Sequence, residues 1–137
     1  MHVKAEGFGK PLAFVITEGQ RHESWAFEEL MKLGKLKRLS VGRPRLKPRC
    51  LAADKAYSSH RIRTWLRRKR IRAVIPQGNH EKKHRKDFDK ALYRERNRVE
   101  RLIARLKQNR RIATRYEKTA RNCLAFCRLG SIMVQLI

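Results

Sequence analysis

The stretch CLAADKAYSSHRIRTWLRRKRIRAVIP, residues 50–76, constrains the fold most. Its first four residues are a short apolar run ending at Asp54, which predicts a buried strand over 50–53. Ser58 or Ser59 can cap a helix to about residue 69, and Ile62, Trp65 and Leu66 recur on one helical face. Residues 71–75 are a second apolar run, closed by Pro76, and predict a second short strand. Strand, helix and strand in this order predict parallel strands with a right-handed crossover.

The flanking segments extend this order. Residues 2–6 alternate and predict a strand, 7–10 a turn, and 11–17 a second strand, so the chain opens with a hairpin. Ser24 is a candidate N-cap for a helix to about residue 33, with Trp25, Phe27, Leu30 and Met31 as its apolar residues. Residues 34–49 form a basic connector without apolar period, and 77–86 a polar basic loop. Helices are predicted over about 89–109 and 118–136. A hairpin leading into parallel strands, followed by helices, is an α/β order: one mixed sheet with helices on its faces.

Charge limits what such a domain does. The chain of 137 residues carries 36 Lys or Arg and 12 Asp or Glu, a net charge of +24. An excess of this size repels itself and calls for a polyanionic partner, most often nucleic acid. Hydrophobic residues make up 41%, enough for a core, so this is not merely a disordered basic tail. The basic residues are not confined to one amphipathic helix, which argues against a membrane surface. No long apolar run follows Met1, and residues 123–137 are too short to span a bilayer.

Three short motifs each have two readings. Three cysteines, an odd number, fit a reducing compartment, with Cys123 and Cys127 a buried pair on a helix; a zinc site would want more ligands nearby. His80 and His84 share that spacing in a basic loop, as a metal pair or as solvated residues. GRPR, 42–45, is an AT-hook-like element for the minor groove or a flexible basic loop touching phosphates.

The segment YRERNRVERLIARLK, 93–107, is the most informative for function. At about 100° per residue, Tyr93, Arg96, Glu100 and Lys107 share one stripe about 60° wide. Val99, Leu102, Ile103 and Leu106 form a second, apolar stripe, and Arg94, Arg98, Arg101 and Arg105 a third, basic one. Arg96 and Glu100 alone read as an i,i+4 ion pair worth ~0.2–0.5 kcal/mol. Such a pair needs neither Tyr93 nor Lys107. A catalytic carboxylate has use for both, Tyr and Arg to position a phosphodiester and Lys to hold the neighbouring strand. Glu95 lies away from this stripe, as a charge-balancing surface residue.

Tyr93-x2-Arg96-x3-Glu100-x6-Lys107 resembles the Y-R-E-K signature of bacterial insertion-sequence transposases with a DDE catalytic core, at that family's spacing. Residues 93–118 read like the family's C-terminal block. LAADKAYSS, 51–59, resembles the segment with the second catalytic Asp, and GKPLAFVITEGQRHE, 9–23, the central hairpin strand and following turn. The resemblance covers nearly the whole chain.

It implies a ribonuclease H-like fold whose acidic triad holds two Mg²⁺ ions, with Mn²⁺ able to substitute, beside a DNA phosphodiester. Carried over, Asp54 is the second carboxylate and Glu100 the third, both metal ligands. Tyr93, Arg96 and Lys107 contact DNA, with Arg98, Arg101 and Arg105 beside them. Carboxylate oxygens suit Mg²⁺, which keeps waters and substrate oxygens as its other ligands. The family's first Asp lies on a strand upstream of the matched segment and has no counterpart here. Glu6 is not that position, and Asp87 or Asp89 more simply caps the helix that follows.

Residues 1–137 are thus expected to form one partial, N-terminally truncated ribonuclease H-like domain, with its core over about 1–110 and a C-terminal helix over about 118–136. The partners implied are double-stranded DNA, as element ends and target, an upstream segment supplying the first Asp, and a second copy in a homodimer, but no membrane. A cytoplasmic, nucleoid-associated location is expected. Two functions remain open: the catalytic-core fragment of a transposase, inactive without the upstream segment, or an inactive DNA-binding remnant that regulates the intact enzyme. A ribosomal-type RNA binder fits the charge but leaves the aligned Tyr, Arg, Glu and Lys unexplained.

Overall fold

The structure is a computed structural model, and it describes residues 1–18, 24–34, 41–43, 47–82, 88–114 and 116–136. The order of elements is β1 (His2–Ala5), β2 (Pro11–Val15), α1 (Ser24–Lys32), β3 (Cys50–Ala52), a 3₁₀ turn (Lys55–Tyr57), α2 (His60–Arg68), β4 (Arg72–Val74), α3 (Lys90–Arg94), α4 (Asn97–Lys107), α5 (Arg110–Thr114) and α6 (Ala120–Leu136).

The mixed α/β character agrees with the sequence, but the expected single mixed sheet does not form among the described residues. β1 and β2 pair antiparallel, β3 and β4 pair parallel, and these are two separate two-stranded sheets. Each strand has one partner, which leaves its other edge open to a further strand, and no ladder links the two pairs among the described residues. The parallel pairing of β3 with β4 is as the strand–helix–strand order predicted.

The hairpin is covered on both faces. Along β2 the side chains alternate. Ala13 and Val15 pack on Ala26 and Leu30 of α1, whereas Phe14 points oppositely into Leu102, Leu106, Ile112, Cys123 and Cys127 from α4, α5 and α6. α1 carries a second apolar face. Phe27 and Met31 join Ile62, Leu66, Ile71 and Ile75, so α1 links the hairpin to α2 and the parallel pair. Trp25, expected among the core residues of α1, is instead 66% exposed; the Ala26/Leu30 and Phe27/Met31 pairs already use both buried faces of the helix. Lys4, buried on β1, donates to the carbonyl of Leu33 at 2.8 Å and to those of Met31 and Gly34 at 3.4 Å, closing the C-terminal end of α1. Burial of Lys4 pulls its pKa below 10.5.

Capping follows the sequence closely. Ser59, rather than Ser58, accepts from the Ile62 amide as N-cap of α2. Asp89 caps α3 by accepting from the Leu92 amide at 2.9 Å, and its other oxygen pairs with Arg72 of β4 at 3.2 Å. Asp87 and His84 lie outside the described residues, as does part of the GRPR element. Cys123 and Cys127 are buried and form no disulfide, as the plain reading had it. α5 was not foreseen; Asn109 starts it through its side-chain oxygen, which accepts from the Arg111 amide. No helix among the described residues is long and apolar enough to cross a membrane.

Candidate functional site

The segment 89–109, expected as one helix, is two. α3 ends at Arg94, α4 starts at Asn97, and Glu95 and Arg96 form a turn between them. Both keep αR backbone angles, so the axis continues, but the hydrogen bonds tighten. Glu95 N, Arg96 N, Arg98 N and Val99 N each reach back three residues, to Leu92, Tyr93, Glu95 and Arg96. This is a 3₁₀ step inside a helix. Two i,i+3 contacts accompany it. Arg98 bridges to Glu95 at 2.6 Å, and the Arg96 guanidinium lies 5.1 Å from the centre of the Tyr93 ring. At about 120° per residue instead of 100°, roughly three such steps move Glu100 from about −20° to about +40° relative to Tyr93, so the two stay on one stripe about 60° wide.

Along that stripe the side chains form a relay of contacts. Tyr93 packs on Phe88 and on Arg96, and Arg96 reaches forward to the Glu100 carboxylate at 2.5 Å. Arg96 is more enclosed than Glu100, whose side chain is 53% exposed. The Arg96 Nε is buried without a hydrogen-bond partner, a donor that costs free energy where it stands. Lys107, two turns further along the same face as Glu100, is exposed at the end of α4.

Asp54 stands where β3 runs into the 3₁₀ turn. Its carboxylate accepts from the Lys55 amide at 2.6 Å, and the residue is exposed. No hydrogen bond or ion pair joins Asp54 to Glu100 among the described residues; each carboxylate has a local partner instead. Their donor chemistry suits a hard divalent cation. Yet no group of three His, Cys, Asp or Glu side chains able to hold a metal ion exists among the described residues. The two acids by themselves do not complete a metal site.

The loop that leaves β4 is fastened beside Asp54. Arg63 Nε and the Ser58 hydroxyl both donate to Glu81, at 2.9 and 2.8 Å, and Arg63 also donates to the Ile75 and Pro76 carbonyls at 3.1 Å. The Arg63 and Glu81 side chains are largely buried, at 12% and 13% exposure. Lys55 donates to Asn79 across the same junction. The sequence reading passed over this network because Glu81 lies in a stretch that looks merely polar and basic.

The basic stripe of α4 is met by the hairpin turn. Arg98 donates to the Gly7 carbonyl at 2.5 Å, and Arg98, Arg101 and Arg105 line a shallow cavity of about 230 Å³ together with Phe8 and Gly9. Phe8, which shares this cavity, is not among the residues the sequence singles out. The available signal was an aromatic flanked by glycines, GFG, where turns usually carry small or polar residues.

A family model described as a transposase DDE domain matches residues 1–134. The chain belongs to the transposase DDE domain family. The relay from Tyr93 to Glu100 therefore lies in a transposase DDE domain, within the matched region. A relative from Burkholderia cepacia, named "Putative transposase for insertion sequence element IS402", is 31% identical over 133 residues, covering 97% of this chain. The chain spans 60% of that relative's length. No solved structure matches the chain.

Proposed function

We propose that this chain acts in DNA transposition, as the larger part of a DDE catalytic core that cuts element ends and joins the freed 3′-OH to target DNA. The observation that carries the proposal is the linked series Tyr93, Arg96 and Glu100. It sets an exposed carboxylate at the head of α4 in a chain of net charge +24 that belongs to the transposase DDE domain family. In this reading Asp54 and Glu100 are the catalytic carboxylates. Tyr93 and Arg96 orient the phosphodiester, Lys107 holds the adjoining strand, and Arg98, Arg101 and Arg105 grip the backbone. Arginine suits phosphate because its planar fork donates two parallel hydrogen bonds.

The fold reading goes with it. A ribonuclease H-like sheet results if one further strand enters between β1 and β3, joining the hairpin and the parallel pair into a mixed sheet. Two features support this. α1 packs on both sheets, and His2 at the start of β1 hydrogen-bonds Tyr57, just after β3, at 2.6 Å. An upstream segment would supply that strand and its Asp. Three carboxylates would then suit Mg²⁺ or Mn²⁺, of the kind that activates an attacking oxygen and stabilises a leaving one.

A second reading, an inactive DNA-binding remnant or regulator of the intact enzyme, is favoured by the local engagement of Asp54 and Glu100 and by the lack of a three-acid group among the described residues. The test compares this chain with a longer one carrying the upstream segment, on terminal-repeat DNA with Mg²⁺ or Mn²⁺. Cleavage by the longer form alone supports the first reading. DNA binding by both, with cleavage by neither, leaves the second.

A further inference from the structure

We infer that the hairpin tip 7–9 and the arginines of α4 form a site for an unstacked DNA base and its flanking phosphates, with Phe8 as the stacking surface. This rests on the proposed DNA-binding role and adds what that role does not require, a base-contacting residue outside the Tyr–Arg–Glu–Lys series.

The tip is rigid. The Glu6 carboxylate accepts from the Phe8 and Lys10 amides at 3.1 and 3.2 Å, and the Glu6 main chain bonds to Gly9 and Lys10 at 2.8 and 2.9 Å. It is also fixed to α4. Arg98 holds the Gly7 carbonyl, and a Cβ on Gly9, at φ +86°, would lie 3.2 Å from the Arg98 Cβ. The tip reaches α4 so closely because Gly9 has no side chain and tolerates that backbone.

On this fixed support Phe8 is 84% exposed, so its ring contributes almost nothing to the core. A preformed tip loses little conformational freedom when it binds. Beside the ring, Arg98, Arg101 and Arg105 line the same cavity. An aromatic face with arginines alongside is the pairing that holds single-stranded nucleic acid, ring against base and guanidinium against phosphate. A base inside a regular duplex has both faces covered by its neighbours. Phe8 therefore reads a base already displaced, at a strand end, a gap or a distorted step.

The test uses the full chain with oligonucleotides carrying 2-aminopurine, in single-stranded, gapped and fully duplex form. Wild type is expected to quench the probe on the first two. Phe8→Ala should weaken their binding roughly 5- to 150-fold, the range of one base–aromatic stack, and abolish the quench. Duplex affinity should change less than about 2-fold, as for an ordinary surface substitution. Phe8→Trp should restore both readouts and Phe8→Leu should not. Equal losses on all three DNAs, or full rescue by leucine, would overturn the stacking role. Unchanged quenching in Phe8→Ala would overturn it too, with DNA binding by this surface left standing. Absence of salt-dependent binding by wild type to any of the DNAs would overturn both.

Discussion

The guanidinium of Arg96 lies 2.5 Å from the carboxylate of Glu100, across one turn that begins in a 3₁₀ step. An i,i+4 pair on an outward face stabilises a helix by ~0.2–0.5 kcal/mol. Here the gain is set against a buried Arg96 Nε that has no acceptor. The pair is therefore poorly explained as a device for stability, and better by the proposed role of Arg96 beside the Glu100 carboxylate.

Arg96→Ala should accordingly leave the fold nearly unchanged, within about 0.5 kcal/mol by urea denaturation, while DNA affinity falls. A loss of several kcal/mol would mean that the Tyr93–Arg96–Glu100 series is structural after all.

Among the described residues, Arg101 and Arg105 make no ion pair on the face that Arg98 fastens to the hairpin. Replacing either by Ala should weaken binding about equally for all DNA sequences and reduce the slope of log K against log salt by about 1. An unchanged slope would remove that arginine from the phosphate-contacting set.

Gly34 follows α1 with φ +72°, and an added Cβ would lie 2.9 Å from the Leu12 Cβ and 3.0 Å from the Leu12 carbonyl oxygen. Gly34→Ala should cost about 1–2 kcal/mol from the left-handed backbone alone, with the contact to Leu12 adding to it. Gly7, whose Cβ would meet nothing within 4 Å, is the control, and Gly7→Ala should fall within about 0.5 kcal/mol. Urea midpoints at unchanged m-value measure both.

Lys4 gives a pH-dependent signature. Burial lowers its folded-state pKa, so at alkaline pH the folded chain holds this proton less tightly than the unfolded one. Where the unfolded state binds more protons, stability rises with pH. The stability of wild type minus that of Lys4→Met should climb as pH rises through the folded pKa toward 10.5, and level off above it. A difference that is flat or falls across this window would show that Lys4 is not burdened by its burial. At neutral pH Lys4→Met should be destabilised by about 1–3 kcal/mol, because buried carbonyls at the end of α1 lose their donor.

The sequence spoke most clearly where local signals and tertiary packing agree. Two short apolar runs around an amphipathic segment led to β3, α2 and β4, and Asp89 was recognisable as a cap because its side chain serves the helix it precedes. Periodicity also found Leu102 and Leu106 on the buried side of α4. It failed at Glu95–Arg96, where no Gly or Pro marks an interruption. Arg, Glu and Asn are compatible with an unbroken helix, and the 3₁₀ step goes with contacts at i,i+3 spacing and with Arg98 reaching Gly7 far away in the chain. Tyr93 keeps its place on the stripe with Glu100 and reaches it through Arg96. Trp25 is one of the apolar residues of α1, but the buried faces of Ala26/Leu30 and Phe27/Met31 leave it outside. The Ser58–Arg63–Glu81 network had no local pattern at all, since its members come from three places along the chain.

The most direct measurement of the central claim is metal-dependent cleavage of terminal-repeat DNA by the longer chain carrying Glu100→Gln, set against Glu95→Gln. Both glutamates pair with an arginine on the same helical segment, Glu100 with Arg96 and Glu95 with Arg98, so each variant removes one charge and one ion pair. The account predicts that Glu100→Gln abolishes cleavage with DNA binding retained, while Glu95→Gln cuts at nearly the wild-type rate. Cleavage that survives in Glu100→Gln would contradict it.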